Sequence, residues 1–170
     1  MKDLKIITAD DDAGMRLIMR KLLERAEGYE HIGEAEDGEK LIALYDATRP
    51  DVVFMDVEMP GMNGIECARY IQDKDPRTVI VFATAHEEYM RSAFEVYAFD
   101  YLVKPFKAER ALNTFRLIRE RIAVTEQRRS VAPPLKPAAR KLMLRHKEGM
   151  SFLDLEDILL IQREERSTVI

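Results

Sequence analysis

Short apolar runs alternate along this chain with longer stretches whose apolar residues fall at helical spacing. The β-branched and aromatic runs at 4–9, 52–55, 79–83 and 101–103 predict buried strands, with a fifth, weaker strand at 31–35. Met15, Ile18, Met19, Leu22 and Leu23 stand three and four residues apart in a segment predicted helical over 14–27, and Gly28 follows as a helix stop. The same spacing predicts helices over 38–47, 64–72, 87–96 and 107–128. Strands alternating with helices imply right-handed βαβ units, hence an α/β domain with a five-stranded parallel, doubly wound sheet over residues 1–124.

The pattern changes at residue 125. Pro133, Pro134 and Pro137 crowd a short span that cannot continue a helix, so 125–139 is read as a linker. Beyond it, 140–145 and 151–155 read as strands about a Lys147-Glu148-Gly149 turn, with further strands at 158–162 and 167–170. A β segment over 140–170 is too small to bury a core of its own. It is expected to dock on the first domain or on a partner, or to belong to a longer protein. An unpaired strand edge there invites association with a second copy.

Composition narrows the class. A formal net charge of −4, with 46% hydrophobic and 34% charged residues, fits an ordinary globular chain and excludes disorder or a membrane-embedded one. No apolar run reaches the roughly 18 residues that a membrane span needs, and the N-terminus lacks an export signal, so the cytoplasm is the expected compartment. Cys67 stands alone, which excludes an intrachain disulfide; it reads as a small buried or half-buried apolar residue.

Candidate chemistry lies at the strand ends. Asp10, Asp11 and Asp12 follow the first strand and Asp56 follows the third, and in an open α/β sheet the ligand crevice lies outside those carboxyl ends. Crowded carboxylates repel and raise one another's pKa unless a cation compensates them. Magnesium suits such a site because it needs few carboxylates and keeps exchangeable waters. Asp56 is the candidate nucleophile, since a carboxylate can attack phosphorus to give an acyl phosphate. Transfer of that group also requires hydrogen-bonding and positive partners, which Thr84 and Lys104 offer at the ends of the fourth and fifth strands. Asp12 can equally be the N-cap of the helix that follows it.

Together, Ile6-Ile7-Thr8-Ala9-Asp10-Asp11-Asp12, Met55-Asp56-Val57-Glu58-Met59-Pro60-Gly61, Ala83-Thr84-Ala85 and Tyr101-Leu102-Val103-Lys104-Pro105-Phe106 resemble the receiver domain of bacterial response regulators, a flavodoxin-like fold. The resemblance implies Asp56 as phosphoacceptor and Asp10 and Asp11 as the acidic pair holding magnesium (or manganese). The backbone carbonyl of Glu58 would be a further ligand, and Thr84 and Lys104 would contact the phosphoryl group. Tyr101 would be the aromatic that turns inward on activation. Members usually carry Glu where Asp12 stands. A sensor histidine kinase is the implied partner, met by first-helix residues such as Met15, Ile18 and Met19, and a phosphorylation-dependent homodimer is implied through the face of 87–96, 100–103 and 107–128. Glu58 and His86 flank the site, and Glu58 is expected to tune hydrolysis of the acyl phosphate.

The wording from Tyr97 to Phe106 and the strands past the linker resemble a receiver joined to the opening of a LytTR-type DNA-binding domain. Residues 140–170 hold six lysines and arginines against six acids, so no basic face stands out, and DNA binding is expected only from a full-length parent. Two other readings stay open: a stand-alone phosphorelay or interaction module, and an aspartyl-phosphate hydrolase of the haloacid dehalogenase kind. Asp56-Val57-Glu58 imitates the hydrolase motif only roughly.

Overall fold

The computed structural model describes residues 2–129, 141–146, 149–154, 162–164 and 167–169. In chain order these form β1 (Leu4–Ala9), α1 (Ala13–Arg25), β2 (Tyr29–Ala35), α2 (Gly38–Thr48), β3 (Val52–Met55), α3 (Gly64–Lys74), β4 (Val79–Thr84), α4 (Met90–Glu95), β5 (Asp100–Val103) and α5 (Ala108–Arg129). The first five strands pair in parallel in the order β2-β1-β3-β4-β5. This is the flavodoxin-like sheet expected from the alternation of strands and helices.

Alternate strand residues feed two cores. Ile6, Val52, Phe54, Val81 and Leu102 pack with Met19, Leu22, Leu23, Phe115 and Ile118 of α1 and α5. Ile7, Val53, Met55, Ile80 and Phe82 pack on the other face with Leu41, Tyr45, Ile65 and Ile71 of α2 and α3. Cover on both faces is why these strands read as unbroken apolar runs. Each such side chain contributes about 1.5–3 kcal/mol on burial. Local chemistry then starts the helices: the Asp12 carboxylate accepts the Gly14 N–H at 2.7 Å, and Asn63 with Glu66 forms a reciprocal capping box at α3. Asp12 is therefore the helix cap.

Several boundaries differ from expectation. α1 stops at Arg25, and Met19, expected on its partner-facing side, is buried, leaving Leu17 and Ile18 exposed. α4 is only six residues, starting at Met90 rather than 87, and Tyr89 at its N-cap makes no side-chain capping bond. Instead, the side chains just before it are tied to one another and to the β3–α3 loop. β2 begins two residues early and β5 one residue early. α5 runs through Arg129, so the first five residues assigned to the linker are helical.

The C-terminal segment joins the sheet. β6 (Lys141–His146) and β7 (Gly149–Asp154) form an antiparallel hairpin, and β7 pairs antiparallel with β5, giving the seven-stranded order β2-β1-β3-β4-β5-β7-β6. β8 (Gln162–Glu164) and β9 (Ser167–Val169) make a separate two-stranded pair. Most of the proline-rich linker, the 147–148 turn and residues 158–161 of the expected third strand lie outside the described residues. Among the described residues, no helix is long and apolar enough to cross a membrane.

Candidate functional site

β1 and β3 are neighbours with Ala9 opposite Met55, so the residues that follow, Asp10 and Asp56, leave the sheet side by side. The chain order reverses direction across the sheet here, which opens a crevice at the carboxyl ends of these strands. The Asp56 N–H donates to the Ala9 carbonyl at 2.9 Å, fixing the nucleophile candidate to the end of β1. One oxygen each from Asp10, Asp11 and Asp56 lies within 4.8 Å of the others, with Asp10 and Asp56 buried and Asp11 exposed. Arg16 of α1 holds this loop by donating to the carbonyls of Asp10 at 2.7 Å and Asp11 at 3.2 Å. A Cβ on Gly64 would stand 2.1 Å from the Asp56 carbonyl oxygen, so only glycine lets α3 close on the loop.

Lys104 reaches in from the end of β5. Its ammonium donates to Asp10 Oδ2 and to Asp56 Oδ2, both at 2.7 Å, and its backbone N–H donates to the Thr84 carbonyl at 2.8 Å. Burial pushes the Asp10 carboxyl above the usual range, and the ammonium offsets this only in part. Burial alone would push Lys104 down, but its bonds to the two carboxylates outweigh it, and the ammonium is held more firmly protonated than usual. Three acids against one lysine leave the cluster short of positive charge. A set of hard oxygens at this spacing fits a divalent cation such as magnesium.

Around this core the expected residues divide. Asp10, Asp11, Asp56 and Lys104 come together directly. Thr84 is fully buried at the end of β4, joined to Lys104 through the backbone, and its hydroxyl lies 3.4 Å from the His86 N–H that it accepts. Glu58 donates its N–H to Asp56 Oδ1 at 3.2 Å, while its carboxylate turns aside to His86 Nε2 at 2.9 Å and the Tyr89 hydroxyl at 3.2 Å. His86 also meets Glu88 at 3.0 Å, and that bond first, with Glu58 adding, raises the imidazole above its ordinary pKa. Tyr101 is fully buried and its hydroxyl donates to the His86 carbonyl. The ring that was expected to turn inward is therefore already inside.

Sequence reasoning missed Tyr89 and Arg16. Tyr89 carries no spacing signal, because it acts across two loops. Arg16 was visible only as a polar position on α1, and its contacts are to backbone carbonyls, which no motif specifies.

The model of the response regulator receiver domain matches residues 6–116. The sensory transduction protein LytT of Oceanobacillus iheyensis is 36% identical over 169 residues, covering 98% of this chain and 66% of that protein. The transcriptional regulatory protein BtsR of Salmonella typhi is 31% identical over 158 residues, covering 93% of this chain and 65% of that protein. The chain thus spans just under two thirds of the length of these relatives. Among solved structures, the response regulatory domain of protein mrkE from Klebsiella pneumoniae superposes with a TM-score of 0.67 at 27% identity, over 73% of this chain and 99% of that one.

Proposed function

The chain belongs to the response regulator receiver domain family of two-component systems, and from that premise we propose that it takes a phosphoryl group from a sensor histidine kinase onto Asp56. The observation that carries the reading is the convergence of Asp10, Asp11 and Asp56 with the Lys104 ammonium bonded to two of them. An Asp56 carboxylate oxygen attacks the phosphorus while the bond to the donor's imidazole nitrogen breaks and its electron pair stays on that ring, leaving an acyl phosphate. The carboxylates of Asp10, Asp11 and Asp56 and the Glu58 carbonyl would hold magnesium, or manganese, which would supply positive charge to balance the acids and the transferring group.

The chain's own groups do the rest. Lys104 is already seated on Asp56 and needs only to swing its ammonium to the incoming oxygens, where it offsets developing negative charge. The Thr84 hydroxyl donates to another of those oxygens, drawing the loop between β4 and α4 toward the site. The added charge of about −1.5 to −2 biases the position of that loop and of Tyr101. The face of α4, β5 and α5 then changes its preference toward a homodimer. Glu58, tethered to His86 and Tyr89, controls how water approaches the acyl phosphate.

On α1, Leu17 and Ile18 are the exposed apolar pair, and they fit a kinase docking surface. Residues 1–124 are the receiver and 125–139 the nominal linker, of which 130–139 remain once α5 is complete. Residues 140–170 open a LytTR-type domain whose DNA binding belongs to the full-length parent. The relatives' names, a sensory transduction protein and a transcriptional regulator, support that output.

Incubation with acetyl phosphate and magnesium tests the reading. The expected result is a gain of one phosphoryl group, acid-stable and base-labile, that is absent in Asp56→Asn. Continuous hydrolysis of phosphate esters without a phosphoryl group retained on Asp56 would instead support the hydrolase reading.

A further inference from the structure

The parallel part of the sheet ends at β5, and that edge is paired with the chain's own C-terminal hairpin. Among the described residues β7 meets β5 at two residue pairs, Asp100 opposite Ser151 and Tyr101 opposite Met150. On the other side of β5 the same two residues pair with Val81 and Phe82 of β4. Both have further anchors. The Asp100 carboxylate is gripped by Arg110 and Thr114, and the Tyr101 hydroxyl holds the carbonyl of His86, two residues beyond Thr84. The hairpin therefore touches the sheet at the residue whose side chain reports on the acid site.

We propose that the β6–β7 hairpin is an intramolecular output element read directly by β5, with docking of residues 149–154 and the inward position of Tyr101 favouring each other. This rests on the phosphoacceptor reading of the site. Strand pairing restrains the backbone of Tyr101, and backbone conformation selects among side-chain rotamers, so an occupied β5 edge favours one position of the ring. The structure holds both halves of this relation at once, the hairpin docked and Tyr101 buried. Two residue pairs make a contact weak enough to be adjusted, because a short hairpin on an edge has little independent stability. Coupling is reciprocal, so whatever holds Tyr101 inward also holds the hairpin, and the signal reaches the C-terminal segment through the sheet as well as through the helical face.

Hydrogen exchange of the full 170-residue chain tests this, with and without magnesium and beryllofluoride, in wild type, Met150→Pro and Ser151→Pro. Neighbouring N–H groups on a strand point to opposite sides, so one variant removes a donor facing β5 and the other a donor facing β6. Peptides from β1 and β3 report whether the receiver stays folded. In the ligand-free chain, the variant that loses the β5-facing donor is expected to exchange faster at residues 100–101. Beryllofluoride is expected to slow exchange at 149–154 in wild type by about fivefold, the low end for a coupled pair of sites. The β5-facing variant should then need about fivefold more beryllofluoride for half-saturation. Unchanged or faster exchange at 149–154, while residues 56–58 and 84–86 respond, overturns the proposal. So does protection that depends on protein concentration, which would mean exchange of strands between copies. No response at 56–58 and 84–86 counts against the phosphoacceptor reading instead, and the ligand-free comparison of wild type with the two variants then decides whether the hairpin docks at all.

Discussion

Two buried carboxylate–cation groups sit on the same sheet and illustrate opposite uses of the same chemistry. Asp100 receives both Arg110 terminal nitrogens and the Thr114 hydroxyl, each at 2.7 Å, and the Tyr101 N–H at 2.8 Å. One acid meets one base, and the remaining lone pairs are filled by neutral donors. At the crevice, Asp10 and Asp56 share the single Lys104 ammonium and Asp11 stands beside them. In the first group the carboxylate is saturated, and it behaves as a rivet between β5 and α5. The second is deficient in positive charge and open to solvent through Asp11, which is what a site that recruits a cation and an anionic group requires. The balance of charge, more than burial, separates structure from function here.

The largest expected effect breaks the second group at its centre. Asp56→Asn should abolish phosphoryl incorporation from acetyl phosphate, measured by intact mass, while leaving the urea midpoint unchanged or raised, because it removes one of the crowded negative charges. Arg110→Met should do the reverse. It leaves Asp100 buried without its cation and should cost about 3–5 kcal/mol in urea denaturation, a large part of a typical domain's stability. Lys104→Met sharpens the contrast. It should lose about 1–3 kcal/mol in the absence of divalent cation and regain stability as magnesium is added, since a ligand that binds only the folded state stabilises it. Arg110→Met should show no such recovery.

The contrast also explains what could be read from the sequence. Asp10, Asp56, Thr84 and Lys104 were legible because each terminates a strand, and parallel strands deliver their ends to one edge regardless of how the helices pack. The saturated group was not legible. Asp100 opens a strand and Arg110 lies ten residues on, in a helix rich in other charges, and nothing local pairs them. The short α4 escaped for a related reason. Met90, Ala93 and Phe94 have helical spacing, but His86 and Tyr89 are committed to Glu58 across loops and His86 also to Glu88 beside it, and those demands outweigh helix extension. The β5–β7 pairing joins residues about fifty positions apart, and a hydrophobic pattern identifies strands without naming their partners.

A smaller effect concerns the rim of the site. Glu58 is bound to His86 and Tyr89, so it is positioned and not a freely solvated side chain. Glu58→Gln keeps the shape and removes the charge, whereas Glu58→Lys reverses the charge and repels a protonated His86. Loss of phosphoryl label over time should differ several-fold between these variants and wild type. Equal rates in all three would show that Glu58 only tethers the loops.

The smallest expected effect lies at the far edge of the sheet and tests whether a half-buried imidazole behaves unlike either cluster. His31 on β2 bonds the Thr8 hydroxyl at 3.1 Å, and burial first of all lowers its pKa, with Glu34 and a backbone hydrogen bond at Gly33 opposing. The unfolded chain takes up a proton near pH 6.5, whereas the folded chain does so only at lower pH. Between those values the unfolded state binds more protons, so stability rises with pH. The contribution is complete above pH 6.5 and is lost as pH falls through the folded value. His31→Gln removes the titration while keeping a polar partner for Thr8, so urea midpoints of the variant should fall less steeply from pH 7 to pH 5 than those of wild type. A parallel pair of curves would mean that protonated His31 finds compensation in Glu34, and that this group too is balanced by charge in the way Asp100 is.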